Sequence, residues 1–571
     1  MLARLRSLHS SWASVLLTGV TGWQSVKPAE PLTSSCNAHS ALVMAEQALV
    51  LFAALDEMST HDNAHPDSHQ RIPKPAEFLM SEKGRRASVI AKADKADDET
   101  SQEAHRIFRD AHKNSGKPAD HGMPGILGVP STGVLYVTER ATANGFSPSD
   151  KTWCNAGQGA PETGPLEGDP GRIDQIDLRP FGDEVHEYAP TTGSTALREA
   201  VANLYNVQYR QGKSSQFTAA NVAIVPGGRA GLTRLSSIIG DIYCVYSTPE
   251  YSAYSDLLSV FKKLIPVATS LREEDAYKLN PSKLREQMRE VGATVAMLSN
   301  PRNPTGQVVD DEDLQELVSM SEEDDVTLIL DEMYSHYMYT KEEGYSCSAA
   351  RYIDDVDSTN IIIVNGLTKS WRYPSWRCCW IVGSKELISA LGHCGSYLDG
   401  GTSGIIMAAA LPLLEPSRVQ QDCIALQRHF KAKRDYVLKR LHDMGLGVTH
   451  PPVATFYIWL NLKNLPAPLD SGLVFFEECL KRKAIVVPGV FFDINPSNRR
   501  RLADSPCHHF VRISYGPPLK QLEMALDAME QLLHDAHYHM TQSEDAPSLH
   551  HVFGKELKQG KIPQVAPTSG S

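Results

Sequence analysis

Apolar residues in the middle of this 571-residue chain come in short unbroken runs rather than in alternation. Residues 222–225, 242–246, 294–298, 326–330 and the β-branched 361–364 are such runs, each followed by a segment rich in turn-forming residues. Strands apolar on both faces belong to a parallel sheet with helices on either side, so an open α/β sheet is expected. Residues 195–205, 420–444 and 519–533 predict helices, and two further helical patches, 41–58 and 99–113, stand near the N-terminus. The chain is also expected to turn helical after Lys369. Runs at 456–460, 484–487 and 510–514 predict a separate antiparallel unit.

Functional groups gather where these runs end. Lys369 lies just past 361–364, at the strand edge where open α/β sheets bind ligands, and Arg377 follows before a second apolar run at 378–382. A lysine that can form an imine and a guanidinium that can clamp a phosphate point to pyridoxal phosphate (PLP). Run 222–225 enters Pro226-Gly227-Gly228-Arg229-Ala230-Gly231, a strand–turn–helix unit whose free N–H groups suit a phosphate. Run 326–330 ends at Asp331-Glu332-Met333-Tyr334, and an acid ending a buried strand is costly unless it is partnered. Glycines at 157 and 159 permit close backbone approach to a ligand, or a plain turn. Taken singly, Tyr251 and Tyr334 also suit a core, and Arg512 a surface ion pair. Lys369 and Asp331 together are hard to explain by packing.

Composition narrows the class. Hydrophobic content of 42% and charged content of 22% are those of a globular protein. A net charge of −12 argues against a nucleic-acid surface. Ten cysteines without paired or metal-ligand spacing fit a reduced compartment and no metal site. No apolar run reaches the roughly 20 residues that span a bilayer, so no membrane partner is expected. Residues 1–36 form a possible targeting leader: the first 29 lack acids and are rich in Ser, as in a mitochondrial transit peptide, with a secretory signal or a disordered leader as competing readings. An intracellular location, cytoplasmic or mitochondrial, follows. Residues 37–129 carry no recognisable chemistry, and 538–571 predict a disordered polar tail.

Seven motifs in one order carry a resemblance: Tyr188-x-Pro-x-x-Gly, the glycine turn at 227–231, Pro249-x-Tyr251, Asn303-Pro-Thr-Gly, Asp331-x-x-Tyr334, Lys369 with Arg377, and Arg512 in Val-Arg-Ile-Ser. Over roughly 133–533 the chain resembles the class I/II aminotransferases of the fold type I PLP-dependent enzymes. That resemblance implies an α/β fold with a large domain, its mostly parallel central sheet flanked by helices, at 191–410, and a smaller α+β domain from 130–190 and 411–537. It implies that Lys369 holds PLP as an internal aldimine and moves protons, a role needing a neutral amine. Asp331 would keep the pyridine nitrogen protonated, Asn303 and Tyr334 would hydrogen-bond the ring oxygen, and Tyr251 would stack on the ring. Arg377 and the backbone of Gly228 and Arg229 would hold the phosphate, with Thr368 as a helper; Arg512, beside the backbone of Gly159, would receive the substrate carboxylate. Tyr188 would reach the phosphate of a neighbouring subunit, so a homodimer is implied.

Three positions depart from the family pattern. Ser375 stands for a glycine, Gly366 for a phosphate-binding serine and Ala454 for another glycine. The expected reaction is amino transfer between an L-amino acid and a 2-oxo acid. Arg229 stands where some relatives place a lysine for acidic substrates, which suggests aspartate- or glutamate-type substrates. A lyase or cyclase resembling 1-aminocyclopropane-1-carboxylate synthase would use the same constellation, and a PLP-binding transcriptional regulator would need an N-terminal DNA-binding module that is not recognisable here.

Overall fold

The central strands form where the sequence has no polar side to expose. In the computed structural model, which describes residues 99–112, 131, 133–496, 500–501 and 504–542, the chain opens with α1 (Glu99–His112) and α2 (Gly133–Ala143). The short strand β1 (Cys154–Asn155) and α3 (Thr195–Tyr209) lead to the main sheet. Ser194 caps α3, its side chain accepting the Leu197 N–H.

The sheet alternates with helices in chain order: β2 (Val222–Val225), α4 (Gly228–Ile238), β3 (Ile242–Thr248), α5 (Ala253–Val260), β4 (Leu264–Ser270), α6 (Pro281–Val291), β5 (Val295–Ser299), α7 (Asp311–Glu323) and β6 (Thr327–Asp331). Two more strands, β7 (Ile361–Gly366) and β8 (Cys379–Val382), complete it. The spatial order is β2-β8-β7-β6-β5-β3-β4, with every pairing parallel except the two made by β8. β5, β7 and β8 are buried along their whole length, as their unbroken apolar runs require.

Beyond the sheet come α8 (Lys385–Leu398), α9 (Gly404–Ala410) and the long α10 (Pro416–Asp443), followed by β9 (Tyr457–Asn461) and α11 (Gly472–Lys481). The strands β10 (Ala484–Ile485), β11 (Val487–Pro488) and β12 (Phe510–Ser514) precede the last helix, α12 (Leu519–Gln542). β11, β12 and β9 make a three-stranded antiparallel sheet.

Three expectations need correction. The run 484–487 is two strands in two sheets: Ala484 and Ile485 pair in parallel with β1, and Val487 and Pro488 pair with β12. The segment after Lys369 is not helical; a turn and one 3-10 turn, Pro374–Trp376, lead straight into β8, because Pro374 starts the turn and 379–382 is needed as a buried strand. The C-terminal helix runs on to Gln542, past the expected start of a disordered tail at 538. The leader, the patch 41–58 and the tail beyond 542 lie outside the described residues, which all fall within one compact unit, Ala93–Ser571. No described helix is long and apolar enough to cross a membrane. Nine described cysteines are buried and unpaired with one another.

Candidate active site

Strand register brings the site together. Ser299 of β5 lies beside Asp331 of β6, and Asp331 beside Val364 of β7, so the carboxyl ends of three central strands finish level. Asn303, Asp331 and Lys369 therefore meet at one edge of the sheet. They line a cavity of about 470 Å³ together with Gly159, Gly228, Arg229, Tyr251, Tyr334, Thr368, Arg377 and Arg512. Of the residues assigned from sequence, only Tyr188 stays outside it: its side chain is fully exposed, on a segment that ends in the turn before α3.

Lys369 is held low in the cavity by its own turn. The Tyr337 hydroxyl donates to its carbonyl at 3.0 Å, and the Arg372 N–H does the same. Its Nζ donates to the Gly159 carbonyl. Burial lowers the Lys369 ammonium to about 7, and the charge of Arg512 pushes the same way; Asp331 opposes the shift. The amine is thus available in its neutral form near neutral pH, the condition a proton carrier requires.

Asp331 closes the facing wall. Its carboxyl accepts the Met333 N–H at 3.3 Å and the Tyr254 hydroxyl at 3.4 Å. Burial raises it to about 6, partly offset by those two donors and by Lys369. A buried carboxylate facing into a cavity can hold a protonated heterocyclic nitrogen.

An anion cradle lies at the start of α4. Gly227 takes φ 103°, and a side chain there would meet the Arg377 guanidinium at 2.0 Å, so only glycine fits. The first N–H groups of α4 are left without helical partners beside that guanidinium. Arg377 adopts a left-handed backbone and donates to the Pro374 carbonyl at 3.2 Å. Ser375 is exposed on the 3-10 turn before it. Gly366 pairs directly with Cys379 in the sheet, where a Cβ would meet the Cys379 Cα at 2.4 Å. The thiol of Cys379 lies 3.3 Å from the Thr368 hydroxyl. A side chain at 366 is therefore excluded by the close approach of the β8 backbone. Ala454 forms an isolated bridge with Met338, away from the cavity lining.

On the opposite side Arg512 is buried, and is no surface ion pair. It donates to Asn303 Oδ1 at 2.9 Å and to the Gly157 carbonyl at 2.8 Å. Its guanidinium sits 4.1 Å from the Tyr457 ring centroid and 4.8 Å from that of Phe492. Tyr334 is likewise engaged, its hydroxyl 2.8 Å from that of Tyr457. Arg229 donates to the Tyr251 hydroxyl at 3.1 Å, tying the first turn of α4 to that ring.

Four contributors escape the sequence reading. Tyr457 joins Tyr334 to Arg512 and leaves no room for a side chain at Gly159, where a Cβ would meet its hydroxyl at 2.5 Å. Tyr254 supports Asp331, and Val134 enters the wall from α2. Glu250 is the fourth: fully buried and raised to about 7 by that burial, it accepts the N–H groups of Tyr251 and Ser299 and the Ser299 hydroxyl. The Ser299 oxygen in turn accepts the Asn303 N–H at 3.3 Å. An alternating tyrosine pattern or an acid inside a proline motif carries no chemical signature of its own, so only three-dimensional contact reveals these roles.

Comparison with known proteins agrees with this geometry. Residues 179–529 match the family described as aminotransferase class I and II. An aspartate aminotransferase of Pyrococcus abyssi is 28% identical over 61% of this chain and 84% of its own length. An aromatic-amino-acid aminotransferase of Thermococcus litoralis is 27% identical over 61% of this chain and 84% of its length. The structure of Thermus thermophilus aspartate aminotransferase with maleate superposes with a TM-score of 0.59 over 70% of this chain and 96% of that one, at 21% identity, which speaks for the fold. The match spans more than half of the chain and takes in every lining residue of the cavity except Val134 and 158–160. The chain belongs to the class I and II aminotransferases.

Proposed function

We propose that this protein is a PLP-dependent aminotransferase that exchanges an amino group between an L-amino acid and a 2-oxo acid. The observation that carries the reading is the pairing across one cavity of a lysine lowered to about 7 with a buried aspartate, between an anion cradle and a buried arginine. The donor set fits the cofactor: a nucleophilic amine, a carboxylate for the ring nitrogen, an aromatic wall at Tyr251, and Arg377 with the α4 N-terminus for phosphate. When bound, PLP supplies an aldehyde carbon that accepts the substrate nitrogen and a cationic ring that draws off electrons from Cα.

The residues do the rest. Arg512 takes the substrate α-carboxylate as a charge-assisted pair and so fixes which Cα bond faces Lys369. Lys369 Nζ, neutral at the working pH, would take the proton from the substrate Cα and hold it for return. Asp331 would keep the ring nitrogen charged, Asn303 and Tyr334 would orient the ring oxygen, and Tyr251 would limit water on one face. Arg377, the backbone of Gly228 and Arg229, and Thr368 would hold the phosphate.

Acidic substrates are favoured in this reading, with Arg229 as the distal clamp. Arg229 lines the cavity and is exposed, and two of the relatives above are named for aspartate. The fully exposed Tyr188 supports a homodimer in which it completes the partner subunit's site. The domain division at 191–410, with 130–190 and 411–537 forming the smaller domain, and an intracellular location belong to the same proposal. Half-reactions test it: amino acids mixed with the PLP form should convert its absorbance to that of pyridoxamine phosphate. Arg229→Ala should lose at least tenfold more kcat/KM with glutamate than with leucine; equal losses would remove the clamp, and no conversion by any amino acid would remove the reading.

A further inference from the structure

Helix α1 lies far ahead of the matched residues 179–529, and the function proposed above leaves it without a role. Its sequence is amphipathic: Ser101, Ala104 and Phe108 turn inward, and Glu103, Arg106 and Asp110 form ion pairs on the outer face. Outer pairs this exposed contribute little to stability, so the inward face determines where the helix sits. Ala104 is 1% exposed, and α1 packs against α11.

Phe108 touches two elements that end in the active site. Its ring centroid lies 5.6 Å from that of Tyr136 and 5.8 Å from that of Phe491, and those two rings are 5.3 Å apart. Tyr136 belongs to α2, whose Val134 lines the cavity and whose Gly133 lies close against Ser252, next to Tyr251. Phe491 is followed by Phe492, whose ring faces the Arg512 guanidinium. A bidentate pair from Arg140 of α2 to Glu477 of α11, at 2.9 and 2.8 Å, closes the same layer. The three-ring cluster is thus one packing step from the cavity wall on one side and one residue from the Arg512 stacking ring on the other.

We propose that α1 is a positioning element for substrate binding, in which Phe108 fixes α2 with Val134 and the Phe491–Phe492 turn against Arg512. This rests on the aminotransferase reading for its substrate and concerns a segment that takes no part in cofactor binding. Removal of the Phe108 ring leaves a gap beside the Tyr136–Phe491 contact, so α2 and that turn loosen where the substrate is held while Lys369, Asp331 and the anion cradle, on the central sheet, stay in place.

Full-length Phe108→Ala and the milder Phe108→Leu provide the test. In Phe108→Ala the KM for amino acid and for 2-oxo acid should rise at least fivefold, with PLP affinity and the saturated half-reaction rate within twofold of the parent. Amides of 133–143 should exchange faster, and Phe108→Leu should recover most of both effects. Unchanged KM and unchanged exchange in Phe108→Ala would overturn the proposal. So would a parallel fall in KM performance, saturated rate and PLP affinity, which marks general loosening. Should Phe108→Ala fail to fold, Phe108→Leu must still raise KM and amide exchange measurably, or the proposal falls. The exchange measurement does not depend on turnover, so a parent that binds PLP but transaminates nothing would contradict the function and still decide the role of Phe108.

Discussion

At the scale of single residues, the site works because burial moves two groups toward neutrality from opposite directions. The Lys369 ammonium is lowered to about 7 and the Asp331 carboxyl raised to about 6, each chiefly by loss of water. Their mutual attraction opposes both shifts. Tyr254 makes this testable. Its hydroxyl donates to the charged carboxylate and therefore lowers the Asp331 pKa. Tyr254→Phe leaves Asp331 protonated to higher pH, so the acid limb of kcat/KM should move upward by about half a unit to one unit, the worth of about 1 kcal/mol. At pH 8.5 the rate should change by less than about threefold, since Asp331 is ionised there in both proteins. Superimposable pH profiles would show that Tyr254 only fills space. The catalytic pair was legible in the sequence because chemistry constrains both residue type and place: a lysine and an acid at strand ends have few packing explanations. Tyr254 and Tyr457 were not, since a buried tyrosine reads as core until its hydroxyl partner is known. The loss of serine at Gly366 needed the β7–β8 register, which sets that glycine directly against Cys379.

At the scale of elements, the parallel strands followed from their unbroken apolar runs, and the sharpest errors fell where short segments change sheet. Residues 484–488 serve two sheets, a division that apolar periodicity cannot express because every position is buried. The turn that presents Lys369 depends on elements far away in sequence. Arg372, with φ 60° and no exposure, pairs with Asp169 at 2.9 Å and donates to the Gly164 carbonyl at 2.5 Å. Arg172 donates to the carbonyls of Trp371 and Arg372 at 2.9 and 2.8 Å and lies 3.5 Å over the Tyr373 ring. The segment after Gly159 is thereby pinned to the turn that follows Lys369. Arg372→Ala removes the charge partner of Asp169, whose carboxylate keeps the Leu166 and Gly171 N–H donors, and should cost roughly 1.5–3 kcal/mol of stability, measured by denaturant unfolding of the apo protein. The same variant should raise KM, because Gly159 shifts with its loop. A loss below about 1 kcal/mol would mean that water replaces the guanidinium and the loop is held elsewhere.

At the scale of the whole molecule, a seven-stranded sheet supplies Lys369, Asp331, Asn303 and the anion cradle, and a three-stranded sheet supplies Arg512 and Tyr457. In the proposed function cofactor chemistry and substrate recognition thus fall on different sheets, with α1 and α2 on the substrate side. Tyr188, outside the cavity of its own chain, would complete the partner subunit's site in the proposed homodimer. All of this depends on Lys369 being the residue that bonds to the cofactor. Borohydride reduction of the PLP-loaded protein followed by peptide mapping measures that directly. The account predicts a single stable phosphopyridoxyl label on Lys369, absent from Lys369→Ala and present in Asp331→Asn. A label on another lysine, or none in a protein that retains PLP, would contradict it.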